Sequence, residues 1–342
     1  MSSGSGSLAR YVGIRVVLVI PMMWVLLTVV FLLLRVAPGD PVTASLGGRL
    51  SPAALALRRE QMGLDRPLIV QYLEYLGHAS RLDFGRTISD KLLVTDVIRD
   101  QGGATLTLTL GAFLVALVIG LPLGRLAGRY RDSAGDAVIR LFGIFTYAAP
   151  VFWTGILLIV FVAARFPTWP TDGIASPETI YLVPTHTHIL LLDTIIARDW
   201  PAVGDTLKHH VLPCLTLGLL LAGVIIRLVR VNVIQALKGD YVEAARARGI
   251  SEGRVVRKHA FRNALVPVIT VIGLQVALTL SGAVLTESTF NWPGLGSELI
   301  NYLNARDYTA VQGLVTFFAI VVVIVSVLVD IVNALVDPRV RY

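Results

Sequence analysis

Residues 12–34 read VGIRVVLVIPMMWVLLTVVFLLL, a run in which Arg15 is the only charged side chain. A helix rises about 1.5 Å per residue, so about 20 such residues cross the ~30 Å hydrocarbon core of a bilayer. Five further runs meet that standard, near residues 104–128, 138–164, 210–229, 265–286 and 312–335. Lipid offers no water to satisfy backbone N–H and C=O groups, so each run is read as a helix. The fold class expected is an all-α integral membrane protein with six spanning helices. The first run is too long for a secretory leader, and Arg35 follows it where a cleavable leader has small residues. It is therefore expected to be a retained helix over 10–36. The Ser/Gly-rich stretch 1–9 ahead of it is expected to be disordered.

Composition agrees with a membrane location. The chain is 55% hydrophobic and 15% charged, with mean hydropathy +0.71. Soluble domains run near a quarter charged, so an ordinary globular enzyme is excluded. Cys214 is the only cysteine, which rules out a disulfide framework and a Cys-rich metal centre. The net charge of +7 sits in short blocks beside apolar runs, a topology signal rather than a nucleic-acid footprint. Arg125, Arg129, Arg131 and Arg140 crowd the second connection, and eight Lys or Arg fall in 230–263. The third connection has Arg198 and Lys208 against five acidic residues, and the fifth has Arg306 alone. Positive charge marks the cytoplasmic side, so both termini are expected there.

The connections carry their own signals. In 37–103, Ser51-Pro52 starts a short helix over AALALRREQMGL, and PLIVQYLEYLG (67–77) is a second one with Leu68, Ile69, Tyr72, Leu73 and Leu76 on one face. This extracytoplasmic cap either packs on the bundle or receives a delivery partner. His186 and His188 form an H-x-H pair in an acidic loop, without further ligands at metal spacing; a solvated loop is favoured. His209 and His210 are placed at the membrane interface. In the fifth connection, Trp292-Pro293-Gly294 makes a turn before an amphipathic helix with Leu299, Ile300 and Leu303 on one face. Trp292 either anchors at the lipid boundary or belongs to an outer gate. Gln275, Thr279 and Ser281 in the fifth apolar run either face a polar translocation path or pack between helices. Arg227 and Asp330 are read as interfacial.

The segment with most information is KGDYVEAARARGISEGRVVRKHAFRN (238–263). Asp240 is a candidate cap for a short helix that Gly249 ends. A second helix is expected from Ser251 through Lys258. Ala244, Ala245 and Gly249 leave room for another surface to approach, and Glu243 has Arg246 within ion-pair reach. The same composition also fits a basic helix lying on anionic headgroups. Composition and periodicity leave these two readings open.

Glu243-Ala244-Ala245 followed by Gly249 resembles the coupling loop of permease subunits in binding-protein-dependent ABC importers. RKHAFRNALVPVIT (257–270), RVAPGDP (35–41), MGLDRPLIVQYLEYLG (62–77), NWPGLGSELI (291–300), ARDY (305–308) and DPRVRY (337–342) resemble the B-type permease of the dipeptide/oligopeptide branch. The fragments run from the first helix to the last residue. One departure stands out: the general pattern has Leu-Pro about twelve residues after the glycine, where this chain has Phe261-Arg262, with Val266-Pro267 following as in the peptide branch.

The resemblance implies a type I, methionine-importer-like permease fold with a core over 104–342. Asp240, Tyr241, Glu243, Ala244, Ala245, Arg246 and Gly249 would then form a coupling helix seated on a partner ATPase. It implies as partners a homologous second permease, two ABC ATPases that bind ATP and Mg, an extracytoplasmic binding protein and membrane lipid. No cofactor is expected in this chain, and no metal site or catalytic residue. None of Lys91, Lys208, Lys238 and Lys258 precedes Ser or Thr, so a phosphate loop is absent. The branch also includes carriers of nickel, haem, glutathione and sugars, which these residues do not separate from peptides. An ion-coupled secondary transporter would need inverted repeats and midplane charges, and a membrane enzyme a convergent catalytic cluster. The sequence displays neither.

Overall fold

Among the described residues the apolar runs and their connections form twelve helices, a single helical turn and a π-helical turn. The computed structural model describes residues 4–36, 53, 56–57, 60, 63 and 65–336. Helix α1 covers Gly4–Val36, α2 Leu68–Ser80 and α3 Val94–Arg129. Helices α4 (Ala134–Ala148) and α5 (Val151–Arg165) follow, then the short α6 (Pro177–Leu182) and α7 (Leu190–Ile196). Helix α8 spans Trp200–Ala236 and α9 Asp240–Ala247. A single turn at Glu252–Arg254 runs into a π-helical turn, Val255–Ala260, and without a break into α10, Phe261–Thr289. Helices α11 (Leu295–Asn304) and α12 (Tyr308–Val336) complete the described chain.

Among the described residues four helices are long and apolar enough to cross a membrane, or five if the pair α4 and α5 counts as one span. That pair is the clearest departure from expectation. The run 138–164 is broken by a 107° bend between α4 and α5. Pro150 has no N–H to give and forbids a helical conformation to its predecessor, so Ala149 sits extended at φ −70°, ψ 133°. The fifth expected run lies within α10, many of whose side chains are outside the described residues.

Several boundaries move outward. Helix α1 begins at Gly4, so residues 4–9 are helical and not disordered as expected. Extending an existing helix adds a hydrogen bond for each residue fixed, without a new nucleus. Helix α3 begins at Val94 rather than near 104, because Val94 and Val97 are buried with Leu295, Tyr302 and Leu314. Helix α8 begins at Trp200 rather than near 210, where Asp199 accepts a cap bond from Ala202 N–H at 3.1 Å. The first expected cap helix, 51–64, lies mostly outside the described residues, with Ala53, Ala56, Leu57 and Glu60 helical. Most of RVAPGDP and all of DPRVRY also lie outside them.

In α2 the buried face is not the expected one. Leu68, Ile69 and Leu73 are exposed, while Gln71 and Ala79 are buried. The tyrosines decide the orientation. Tyr72 Oη meets Thr28 Oγ1 at 2.6 Å, Tyr75 Oη meets Thr316 Oγ1 at 2.7 Å, and Phe31 lies against both rings. A half-buried phenol needs such a partner, whereas a leucine does not. Likewise α11 buries Leu295 and Tyr302 and leaves Leu303 exposed.

The core forms where α3 crosses α8. A Cβ on Gly124 would stand 2.7 Å from Val229 Cβ, and one on Gly128 2.8 Å from Val233 Cβ. Small residues four apart let two backbones touch, which is how helices gain contact when lipid is as apolar as leucine. Ala112, Ala116, Leu217, Ala222, Ile225 and Val229 fill this seam. It holds the lower half of α8 rigidly in place, and α8 leads directly into 238–263.

Candidate functional site: the elbow at 237–260

Helix α9 and the turns after it form an elbow between the end of α8 and the start of α10. Gly239 is the N-cap residue and makes no side-chain cap. Asp240 is therefore not the cap the sequence suggests; it stands in the first turn, where its charge opposes the positive helix end. Val242 N–H donates to Gly239 C=O at 2.8 Å. Tyr241 folds its hydroxyl back onto Ala236 C=O at 2.9 Å, fastening the elbow to the end of α8. Val242 and Ala245 point inward with Val255 and Ala260, and Leu237 and Ile250 close the cluster.

Gly249 ends α9 as expected, and the geometry shows why. Its φ is +73°, its N–H donates to Arg246 C=O at 2.9 Å, and Ile250 N–H donates to Ala245 C=O at 3.2 Å. This pair of bonds with a left-handed residue is a Schellman stop, completed by the contact of Ile250 with the Ala245 cluster. A Cβ on Gly249 would meet nothing within 4 Å, so the backbone angle, not crowding, calls for glycine.

Two expectations change. Ala245 is buried and belongs to the elbow's own core, so it is not part of the approachable surface. Arg246 pairs with Glu252, not Glu243: Nε to Oε2 is 3.0 Å and Nη2 to Oε1 is 2.6 Å. The reversal at Gly249 swings Glu252 back under α9. Each partner shifts the other: donation from Arg246 holds the Glu252 carboxyl below its usual range, and acceptance by Glu252 raises the Arg246 guanidinium. Ser251 makes no side-chain cap, and the expected second helix merges into α10 through the π turn. The outward surface of α9 therefore consists of Asp240, Tyr241, Glu243, Ala244, Arg246 and Ala247. Ala247, one turn from Ala244, widens the low-relief patch and was not singled out in the sequence.

Close to the elbow, Arg230 holds Asp136 with two bonds of 2.6 and 2.7 Å, tying α8 to α4. Asp330 pairs with Arg15 at 3.1 Å, so the ends of α1 and α12 meet. A cavity of about 610 Å³ opens between α4, α8 and α10, with Gln275, Thr279, Tyr147, Leu220 and Arg227 among its lining. Gln275 and Thr279 thus come to one space, and Thr279 Oγ1 donates to Gln275 C=O at 2.5 Å. The side chain of Ser281 lies outside the described residues.

At the opposite end Trp292 is fully buried, with Nε1 donating to Ala104 C=O at 3.0 Å and the His210 ring edge-on at 4.6 Å. A Trp292 enclosed by protein on all sides is not the lipid-facing anchor that was one of its two expected roles. Gly294 is buried under Glu287, whose carboxylate accepts from Thr105 Oγ1 at 2.7 Å and Ser297 N–H at 2.9 Å. Pro293 is half-buried beside them. His188 does not stand free in its loop: Arg99 Nε reaches its Nε2 at 2.8 Å, and Asp100 is 3.0 Å from its Nδ1. Asp193 gathers the Thr187 N–H and hydroxyl at 2.8 and 2.7 Å. No residue spacing in the sequence announced Glu287 or Asp193 as clamps.

An all-helical bundle with apolar spans, and between two of its long helices an elbow that exposes Glu243 and Ala244 and buries Ala245, has the form of a membrane permease component. The model of the family described as "Binding-protein-dependent transport system inner membrane component" matches residues 120–342, and that of its N-terminal companion matches 8–109. The chain belongs to this family. It is 37% identical over 333 residues to the di/tripeptide transport system permease protein DppB of Pseudomonas aeruginosa, covering 97% of this chain and 98% of the relative. It is 37% identical over 331 residues to the dipeptide transport system permease protein DppB of Escherichia coli K12, covering 96% and 97%. The glutathione transport system permease protein GsiC of Salmonella choleraesuis is 32% identical over 333 residues, with 97% and 99% covered.

Proposed function

We propose that this chain is one of two homologous permease subunits of an ABC importer that moves short peptides or peptide-like solutes into a bacterial cytoplasm. The names of the relatives support the peptide class, and the glutathione permease marks how wide that class is. The bundle counts six spans: the four long helices, the bent pair α4–α5 and α10. Each helix of the bent pair is about 22 Å long at 1.5 Å per residue, short of the ~30 Å core, so the two cross together. The Lys/Arg distribution sets the elbow and both termini in the cytoplasm, with Trp292-Pro293-Gly294 and α2 on the outer side as gate and cap. An extracytoplasmic binding protein delivers solute there.

The chain performs no chemistry of its own; two ATPase subunits bind ATP and Mg. When nucleotide closes them, the α9 surface is carried along. Because the elbow joins α8 to α10 without slack, it turns both helices that line the Gln275–Thr279 cavity, which serves as the inner part of the path. Alternating access requires that nucleotide and solute favour different states of this bundle. The observation that carries this reading is the outward face of Glu243 and Ala244 on an elbow whose inward face, with Val242 and Ala245, packs on the end of α8 and on the turn that leads into α10.

Charge reversal by Glu243→Arg, or a β-branched residue at Gly249→Val, is expected to lower peptide uptake at least about tenfold, since left-handed backbone costs a β-carbon about 1–2 kcal/mol. Membrane insertion stays intact. Normal uptake and normal peptide-stimulated ATP turnover by both variant importers would contradict the reading.

A further inference from the structure

We propose that the chain holds a site for the phosphodiester headgroup of an anionic phospholipid, between the end of α3 and the turn that follows the elbow. The cavity there has about 390 Å³, and Arg125, Leu126, Arg129, Ser251, Arg254 and Arg257 line it. Two basic pairs face each other: Arg125 and Arg129 one turn apart on α3, and Arg254 and Arg257 on the turn leading into α10. Among the described residues that line it there is no carboxylate. Glu252 lies next to the cavity, but Arg246 holds both of its oxygens.

Four guanidiniums around one small space repel one another unless an anion sits among them. Their forked donors suit phosphate oxygens better than a point charge does. Aromatic rings brace two of them: Arg125 lies over Phe261 at 5.6 Å from the ring centre and Arg129 over Tyr130 at 4.8 Å. Asp136 occupies Arg230 and reaches Arg140, but it is not part of this cavity. Among the described residues none of the arginines at 125, 129, 254 and 257 makes an ion pair of its own; Arg129 is near enough to feel the charge of Glu252, whose oxygens Arg246 already takes.

The outer face of α3 says which anion fits. Leading to the cavity, Leu114, Val118, Pro122 and Leu126 are exposed over about 18 Å of helix rise, a length one acyl chain can follow, and Leu126 is part of the cavity wall. An acyl chain laid along this stripe brings its headgroup into the arginine cavity. A soluble phosphate would gain nothing from the stripe. Basic pockets between helices at the cytoplasmic side are the expected form of such lipid sites. Because the cavity borders the Arg246–Glu252 pair, an occupied site would also steady the elbow.

The test uses the purified, delipidated full chain in detergent, titrated with phosphatidylglycerol, phosphatidylcholine or inorganic phosphate and read by native mass spectrometry. Phosphatidylglycerol is expected to stay bound where phosphatidylcholine does not. The double variants Arg125→Gln/Arg254→Gln and Arg129→Gln/Arg257→Gln should each weaken its binding about tenfold or more, at an estimated 1 kcal/mol per arginine. Arg131→Gln, outside the cavity, should leave it unchanged. Equal retention of both lipids, or unchanged binding by both double variants at unchanged lipid-free thermal midpoint, would overturn the proposal. Displacement of phosphatidylglycerol by millimolar inorganic phosphate would reassign the site to a soluble anion. Loss of bound lipid when ATPase subunits assemble would reassign the cavity to a protein interface.

Discussion

The region around Trp292 and the elbow are held by different kinds of bond, although the bundle beside the elbow also has a long-range pair to a buried carboxylate, Arg230 with Asp136. At the Trp292 end, buried carboxylates join segments far apart in the chain. Glu287 takes the Thr105 hydroxyl at 2.7 Å, and Asp307 takes Ile88 N–H at 2.5 Å, Ser89 N–H at 2.9 Å and Ala310 N–H at 3.0 Å. Trp292 ties the same region to α3 through Ala104. At the elbow, the bonds are local: Tyr241 to Ala236, Gly249 to Arg246, Arg246 to Glu252. Apart from these, a small apolar cluster around Val242 and Val255 holds it in shape. A region fixed by long-range bonds to buried charges opens only with the fold; one fixed by local, exposed bonds can move as a unit. The difference fits an end that frames the outer opening and an end that receives a push.

The comparison breaks most easily at Glu287. Replacing it in Glu287→Ala leaves the Thr105 hydroxyl and Ser297 N–H unsatisfied in a closed space, at a cost of about 3 kcal/mol. The expected result is a thermal midpoint lowered by several degrees in detergent, with α3 and α11 losing protection in hydrogen exchange. A stable Glu287→Ala protein would show that the outer end is not locked as described.

The elbow should respond far less. The Arg246–Glu252 pair is about half exposed, and such pairs contribute about 0–1 kcal/mol. Because the Glu252 carboxyl is held below its usual range, its contribution is present above the ordinary glutamate pKa and is lost as pH falls through the lowered value. Protection factors over 240–254, with the intrinsic pH dependence of amide exchange divided out, are therefore expected to fall modestly on acidification in the natural protein, while Glu252→Gln is already less protected at neutral pH and shows less of this dependence. A variant as well protected as the natural chain at neutral pH would remove the ion pair from the account.

How much of this was legible follows from the range of the interactions. The long apolar runs announce α1, α3, α8 and α12, because hydrophobic length is local information. Pro150 was visible too, yet the apolar residues on both sides hid the bend it imposes. The EAA turn and Gly249 were readable because a helix stop is written within a few residues. The partner of Arg246 was not, since Glu243 and Glu252 are both near in sequence and only the folded reversal chooses between them. Nor could spacing connect Glu287 with Thr105, or, on a face where it rightly included Tyr72, bring Tyr75 inward in place of Leu68 and Leu73. Those choices depend on which hydroxyls and carboxylates meet across the bundle.

The central claim is that the α9 face is the place where a separate nucleotide-driven subunit takes hold. It is tested most directly by placing a cysteine at Ala244, which is exposed, in a Cys214→Ala background, and labelling it with a charged maleimide in inverted vesicles. Labelling is expected to be rapid in vesicles that carry this permease without ATPase subunits and to fall about tenfold or more once the complete importer is assembled. Equal labelling in both preparations would contradict the account.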